Sequence, residues 1–259
     1  MGLRSTLRGS ARLLRVAGHV LRGLAIVLLH FRRLHAQARR KEVQRWSRQL
    51  LDLLGIALEV HGTPRPGAKL FVANHVSWLD IVAINAVHPS RFVSKAEVRR
   101  WPLLNRLVDA ADTLYLERER RRDALRVVHQ VADALRQGHT VAVFPEGTTS
   151  DGTGLLPFHA NLLQAAIAAE TPVQPIALRY RDPSHAVSPS VAYVGDTSLL
   201  QSLWWVATAE GLVAEVHFLA ARGSRQLERR ALAEQLRADI AGVLSVAQPQ
   251  EEQLRVGAA

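Results

Sequence analysis

The chain has 259 residues and is 48% hydrophobic, enough for one large domain with a real core and unlike a disordered, fibrous or repeat protein. It has no cysteine, which excludes disulfides, a cysteine nucleophile, an acyl-cysteine intermediate and thiolate metal sites. The formal net charge of +10 is unevenly placed: residues 1–50 carry 12 Lys and Arg against one acid, Glu42, and the rest of the chain is close to neutral.

The basic character therefore belongs to an N-terminal arm, which points to an anionic membrane surface or to nucleic acid. Arg4, Arg8, Arg12, Arg15, His19 and Arg22 recur at helical spacing, and Leu3, Leu7, Leu13, Leu14, Val16, Val20 and Leu21 occupy the other faces. Residues 23–29 are almost entirely apolar. That run is far shorter than the roughly 18 residues of a spanning helix, so a basic amphipathic helix lying in the interface fits better. A secretory signal is disfavoured, because Arg15 and Arg22 interrupt any apolar core and no small-residue cleavage site follows. No interleaved aromatics or recognised module support nucleic-acid binding. A second helix near 37–55 carries Val43, Trp46, Leu50, Leu51, Leu53 and Leu54, and the two helices would form an amphipathic hairpin over residues 1–56.

From residue 57 the chain alternates strand-like and helical segments to about residue 250. Strands are predicted at 56–61, 69–73, 91–94, 112–117, 140–144, 173–180, 190–194 and 212–219. Helices are predicted near 78–86, 101–109, 121–137, 161–169, 198–208 and 225–245. This alternation predicts an α/β fold, a single domain with a mixed, largely buried sheet flanked by helices. The turn-rich stretch at 62–68 and the prolines Pro183 and Pro189 mark connections, and no linker divides the chain.

Two stretches leave predicted strands and carry chemistry. The first is Asn74-His75-Val76-Ser77-Trp78-Leu79-Asp80. A carboxylate at this distance can hold an imidazole across a turn, fix its tautomer and stabilise the imidazolium once the ring takes a proton. Alone the pair is weak, since chance supplies it readily in a chain with 11 His, and a helix start capped by Ser77 is the ordinary alternative. The second is Phe144-Pro145-Glu146-Gly147-Thr148-Thr149-Ser150, where glycine after an acid permits a tight turn exposing backbone N–H and hydroxyl donors.

Together, in this order and about 70 residues apart, these stretches resemble the glycerolipid acyltransferase family, which includes bacterial 1-acyl-sn-glycerol-3-phosphate acyltransferases. The family's second block resembles Thr113-Leu114-Tyr115-Leu116-Glu117-Arg118, and its fourth resembles Val173-Gln174-Pro175-Ile176. The resemblance spans about 57–220. It implies O-acyl transfer from acyl-CoA or acyl carrier protein to the sn-2 hydroxyl of 1-acylglycerol-3-phosphate, giving phosphatidic acid in phospholipid biosynthesis. It implies His75 as general base and Asp80 as its orienting partner. Asn74, Arg118, Glu146, Gly147 and Thr148 would bind or shape the acceptor, with Arg118 on its anionic head group, although the mixed charge run around Arg118 also suits a solvated helix start. No cofactor or metal is implied, and the enzyme would sit on the cytoplasmic face of the bacterial inner membrane, peripheral or monotopic.

One stretch departs from the family. A Phe-Lys-x-Gly pattern often follows the third block, and here Phe158-His159-Ala160-Asn161 stands in its place, without the lysine or the glycine. This keeps open a lyso-ornithine lipid or another lysophospholipid as acceptor. A hydrolase is disfavoured by the absence of Gly-x-Ser-x-Gly and of cysteine. A catalytically silent membrane-binding protein is the alternative of another class.

Overall fold

The computed structural model describes residues 2–95, 104–116 and 121–246. Two long helices, α1 (Leu3–Leu29) and α2 (Ala36–Leu54), are joined by a 3-10 turn at Phe31–Arg33. Seven strands follow: β1 (Ala57–His61), β2 (Lys69–Ala73), β3 (Arg91–Lys95), β4 (Leu114–Leu116), β5 (Thr140–Val143), β6 (Val173–Arg181) and β7 (Val213–Phe218). The helices among them are α3 (Leu79–Val87), α4 (Leu104–Ala110), α5 (Arg121–Arg136), α6 (Leu163–Ala168), α7 (Leu199–Thr208) and α8 (Arg229–Val246).

The strands form one mixed sheet in the order β1-β7-β6-β2-β5-β3-β4. β6, β2, β5, β3 and β4 run parallel; β7 turns back against β6 and carries β1 parallel to itself. Every residue of β2 and β5 is buried, as central parallel strands require. Side-chain alternation along β2 separates two cores. Leu70 and Val72 pack with Val141 of β5 and with Val131, Leu135, Leu163 and Leu236 of the α5, α6 and α8 layer, whereas Phe71 and Ala73 pack with Ile84, Phe92, Ile176 and Val216 toward α3. Each such Val, Leu, Ile or Phe side chain contributes about 1.5–3 kcal/mol on burial.

Most predicted elements form close to their expected limits, but 190–194 is not a strand. It belongs to a loop in which Val191 is buried and the Tyr193 backbone N–H donates to Val76 O at 3.1 Å. Alternating apolar residues there plug the rim of the domain instead of joining a ladder. β4 begins later than predicted, because Asp112 takes a left-handed turn conformation (φ 54°) just before it.

The N-terminal hairpin packs on the domain. Val16 lies in a core with Leu50, Leu51, Leu54, Leu79 and Val206. Gly9 lets α1 close on α7, since a Cβ there would stand 2.5 Å from the Thr208 methyl. The basic face is not uniform: Arg8 Nη2 donates to Thr208 O, and Arg12 Nη1 donates to Ala207 O and Ala209 O. These are the free carbonyls at the negative end of α7, where guanidinium groups are favoured. His19 is buried, stacked on Trp46. Arg8 and Arg12 thus fasten the arm to the domain and His19 joins α1 to α2, while Arg4, Arg15 and Arg22 remain exposed. Leu7, Leu14, Leu21 and Leu28, seven residues apart, form an exposed apolar stripe along α1 that begins at Leu3.

Candidate active site

The site lies at the carboxyl ends of β2 and β5, where ligands gather in open α/β sheets. His75 lies one residue beyond β2, after Asn74, and three residues separate it from α3. Asp80 stands in the first turn of that helix, fully buried, and its carboxylate reaches back over the turn. Oδ2 accepts the backbone N–H groups of Val76 (2.7 Å) and Ser77 (2.9 Å) as well as His75 Nδ1 (2.8 Å). Asp80 therefore holds the turn before α3, and Ser77 does not cap the helix: its hydroxyl is buried with no partner among the described residues.

Because Asp80 offers only acceptors, Nδ1 carries the ring proton and Nε2 is left as the basic lone pair. The His75 side chain is 19% exposed, and Nε2 has no protein partner among the described residues. Its ring stacks on Phe144, with centroids 4.0 Å apart and planes 9° from parallel. Imidazole plane, tautomer and direction are all set by neighbours.

The stretch 144–150 clamps the backbone of His75 from both sides. Glu146 Oε1 accepts the His75 N–H at 2.7 Å, and the Ser150 N–H donates to His75 O at 2.8 Å. The other Glu146 oxygen accepts the Leu156 N–H at 3.0 Å, which ties down the following loop. Burial raises the Glu146 carboxyl above its ordinary value, and the hydrogen bonds from Leu156 and His75 oppose that rise. Thr149 Oγ1 donates to Tyr193 O, linking this turn to the rim loop. Gly147 sits at φ 71°, a conformation that side chains disfavour, and so allows the chain to reverse beside Glu146. Thr148, next to it, is exposed.

Expected site residues thus converge on His75, in differing ways. Asn74 is buried and turned inward: its Oδ1 accepts the Leu178 N–H at 2.7 Å and its Nδ2 donates to Leu178 O at 2.9 Å. It braces β2 against β6. Glu146 likewise works through backbone groups, whereas Gly147 and Thr148 form the open turn. Arg118 lies outside the described residues. His159 has an exposed side chain, and its N–H holds Pro145 O at 2.8 Å. Three participants were not anticipated: Ser150 as clamp, Phe144 as stacking partner, and Tyr180, whose hydroxyl donates to Asp80 Oδ1 at 2.8 Å. Tyr180 is 100 residues away in sequence, and its only signal is parity with Leu178 along β6.

Residues 57–179 match the Acyltransferase family model. The chain is 39% identical over 215 residues to the 1-acyl-sn-glycerol-3-phosphate acyltransferase of Neisseria meningitidis serogroup B, covering 81% of this chain and 83% of the relative. The chain belongs to the acyltransferase family. This acyltransferase is also 36% identical over 190 residues to the lyso-ornithine lipid O-acyltransferase of Pseudomonas aeruginosa, covering 73% of each. Its fold matches the crystal structure of the 1-acyl-sn-glycerophosphate acyltransferase PlsC from Thermotoga maritima with a TM-score of 0.72, over 96% of this chain and 98% of that one, at 19% identity. The enzyme's histidine, aspartate and clamping turn all lie within or directly beside the matched family segment.

Proposed function

We propose that the enzyme transfers a fatty acyl group from a thioester, carried by coenzyme A or acyl carrier protein, to the free sn-2 hydroxyl of 1-acylglycerol-3-phosphate. One observation carries this reading: His75 is held by Asp80 at Nδ1, with Nε2 open at the mouth of the site. A hydroxyl is a poor nucleophile near neutrality. Nε2 takes its proton as the oxygen attacks the thioester carbonyl, and Asp80 stabilises the imidazolium that results. The tetrahedral intermediate then expels the thiolate, which takes the proton from His75 and leaves as free thiol. The acceptor ends as an ester, and no acyl-enzyme forms. No group of three or more His, Asp or Glu among the described residues is placed to hold a metal ion, and the scheme calls for none.

Arg118 is proposed to meet the acceptor's phosphate, on the strength of its place in the second family block and the forked donors of guanidinium. The exposed leucines of α1, flanked by Arg4, Arg15 and Arg22, support a peripheral contact with an anionic bilayer, on the cytoplasmic face where acyl thioesters are supplied. No described helix is long and apolar enough to cross a membrane.

A second acceptor, lyso-ornithine lipid, is favoured by His159 and Asn161 standing where a lysine and glycine often occur, and by the similarity to the Pseudomonas enzyme. An acceptor panel with purified enzyme separates the two, reading thiol release with lysophosphatidic acid, other lysophospholipids and lyso-ornithine lipid. Turnover greatest with lysophosphatidic acid is expected. Turnover with lyso-ornithine lipid alone would replace the first reading, and turnover with none would remove both.

A further inference from the structure

Asp80 has two oxygens with unequal company. Oδ2 receives three hydrogen bonds, from Val76, Ser77 and His75; Oδ1 receives its one described bond from Tyr180. Both partners are buried, Asp80 at 0% and Tyr180 at 2% exposure. Water therefore cannot replace the phenol at Oδ1 without opening the core. Burial, followed by the nearby Asp80 charge, holds the Tyr180 hydroxyl well above its usual range, so it stays a neutral donor.

The register of β6 delivers the phenol to this point. Asn74, adjacent to His75, grips both backbone groups of Leu178. Tyr180 lies two residues further along the strand and so points to the same face, under α3. Its own carbonyl accepts the Ser188 N–H at 2.8 Å, which fixes the strand beyond the ring. The residue before His75 thereby sets the position of the residue that supports Asp80. Tyr180 stands immediately outside the segment 57–179 matched to the family.

The geometry points to Tyr180 as a positioning residue of the catalytic dyad: by binding Oδ1 it aims Oδ2 at His75 Nδ1 and draws off part of the charge that the carboxylate presents to the imidazole. It touches no substrate. The inference rests on His75 being the base.

Two consequences separate this role from plain support of the fold. Without the phenol, the full carboxylate charge bears on the imidazolium and holds it protonated to higher pH. The acid limb of kcat/KM against pH then moves upward, whereas a structural defect lowers the plateau and leaves the limb in place. The titratable side chains shown facing the His75 imidazole and its carboxylate partner are Asp80 itself from α3, Glu146 from the turn after β5 and Tyr180 from β6; Phe144 is neutral. Moreover, a residue acting through Asp80 loses its effect once Asp80 is altered.

The experiment is Tyr180→Phe made in the wild-type enzyme and in Asp80→Asn, with thiol release followed across pH. In the wild-type background kcat should fall about tenfold to a hundredfold, the range for a hydrogen bond to a buried charge, with KM within about twofold and the acid limb moved up. In Asp80→Asn the same substitution should cost less than about twofold. A kcat within twofold of wild type, an equal loss in both backgrounds, or a loss with an unmoved acid limb would each overturn the inference. Should Tyr180→Phe fold poorly, 3-fluorotyrosine at position 180 changes donor strength without changing shape: altered kcat at an unchanged melting temperature supports the role, and unaltered kcat overturns it. An inactive His75→Ala beside a fully active Tyr180→Phe would remove this inference alone, whereas an active His75→Ala would remove the underlying mechanism.

Discussion

His75 Nδ1 and Asp80 Oδ2 lie 2.8 Å apart, and the same oxygen also receives the Val76 and Ser77 N–H groups. The carboxylate therefore both holds the turn that leads from His75 into α3 and partners the imidazole. Asp80→Asn retains one oxygen for these donors but removes the charge that stabilises the imidazolium. Thiol release should fall by roughly 10²–10⁴-fold, with circular dichroism unchanged. Activity within tenfold of wild type would show that the charge is dispensable.

The α1 helix is expected to separate membrane contact from folding. Leu14 and Leu21 are 76% and 63% exposed, so Leu14→Glu with Leu21→Glu should change stability by no more than about 0.5 kcal/mol per site. Cosedimentation with anionic vesicles and turnover of bilayer substrate should drop together, while turnover of a short-chain, water-soluble acceptor persists. Arg12→Ala should do the reverse, lowering the melting temperature by loss of the bonds to Ala207 and Ala209 and leaving vesicle binding nearly intact. Undiminished vesicle binding in the double leucine variant would take the stripe out of the account.

A third expectation concerns pH and lies far from the chemistry. Lys69 is buried at the start of β2; its Nζ donates to Gly67 O and to His88 Nε2 at 3.1 Å. Burial, then the neighbouring ammonium, depresses His88 to about 4. The unfolded chain takes this proton near 6.5, so between these values the unfolded state binds more protons. Stability is then lost as pH falls from about 6.5 to about 4, by at most about 3 kcal/mol. His88→Gln keeps an acceptor for Lys69 and removes the titration. Its melting temperature should decline less steeply than that of wild type over this range; parallel declines would count against the linkage.

What could be read in advance depended on how local each signal was. His75, Asp80, Glu146 and Gly147 sit in two short stretches that are weak signals singly and become legible only as a pair at the right separation. The alternation of buried strands and amphipathic helices gave the α/β sheet in the same way. Tyr180 was invisible because its meaning depends on the β2–β6 register, which Asn74 sets across 104 residues. Arg8 and Arg12 were legible as one face of a helix, but periodicity names a face and not what it meets; the α7 carbonyls were the missing half. Val191 and Tyr193 showed strand-like composition because a buried rim loop needs the same apolar residues as an edge strand.

His75 Nε2 is proposed to take the proton from the acceptor hydroxyl, and everything else in the scheme depends on it. The most direct measurement is acyl transfer by purified His75→Ala, with lysophosphatidic acid and an acyl thioester at saturation, and with folding checked by circular dichroism. A loss of about 10²–10⁴-fold or more is expected in a folded protein that still binds vesicles. A folded His75→Ala enzyme with near wild-type turnover would contradict it.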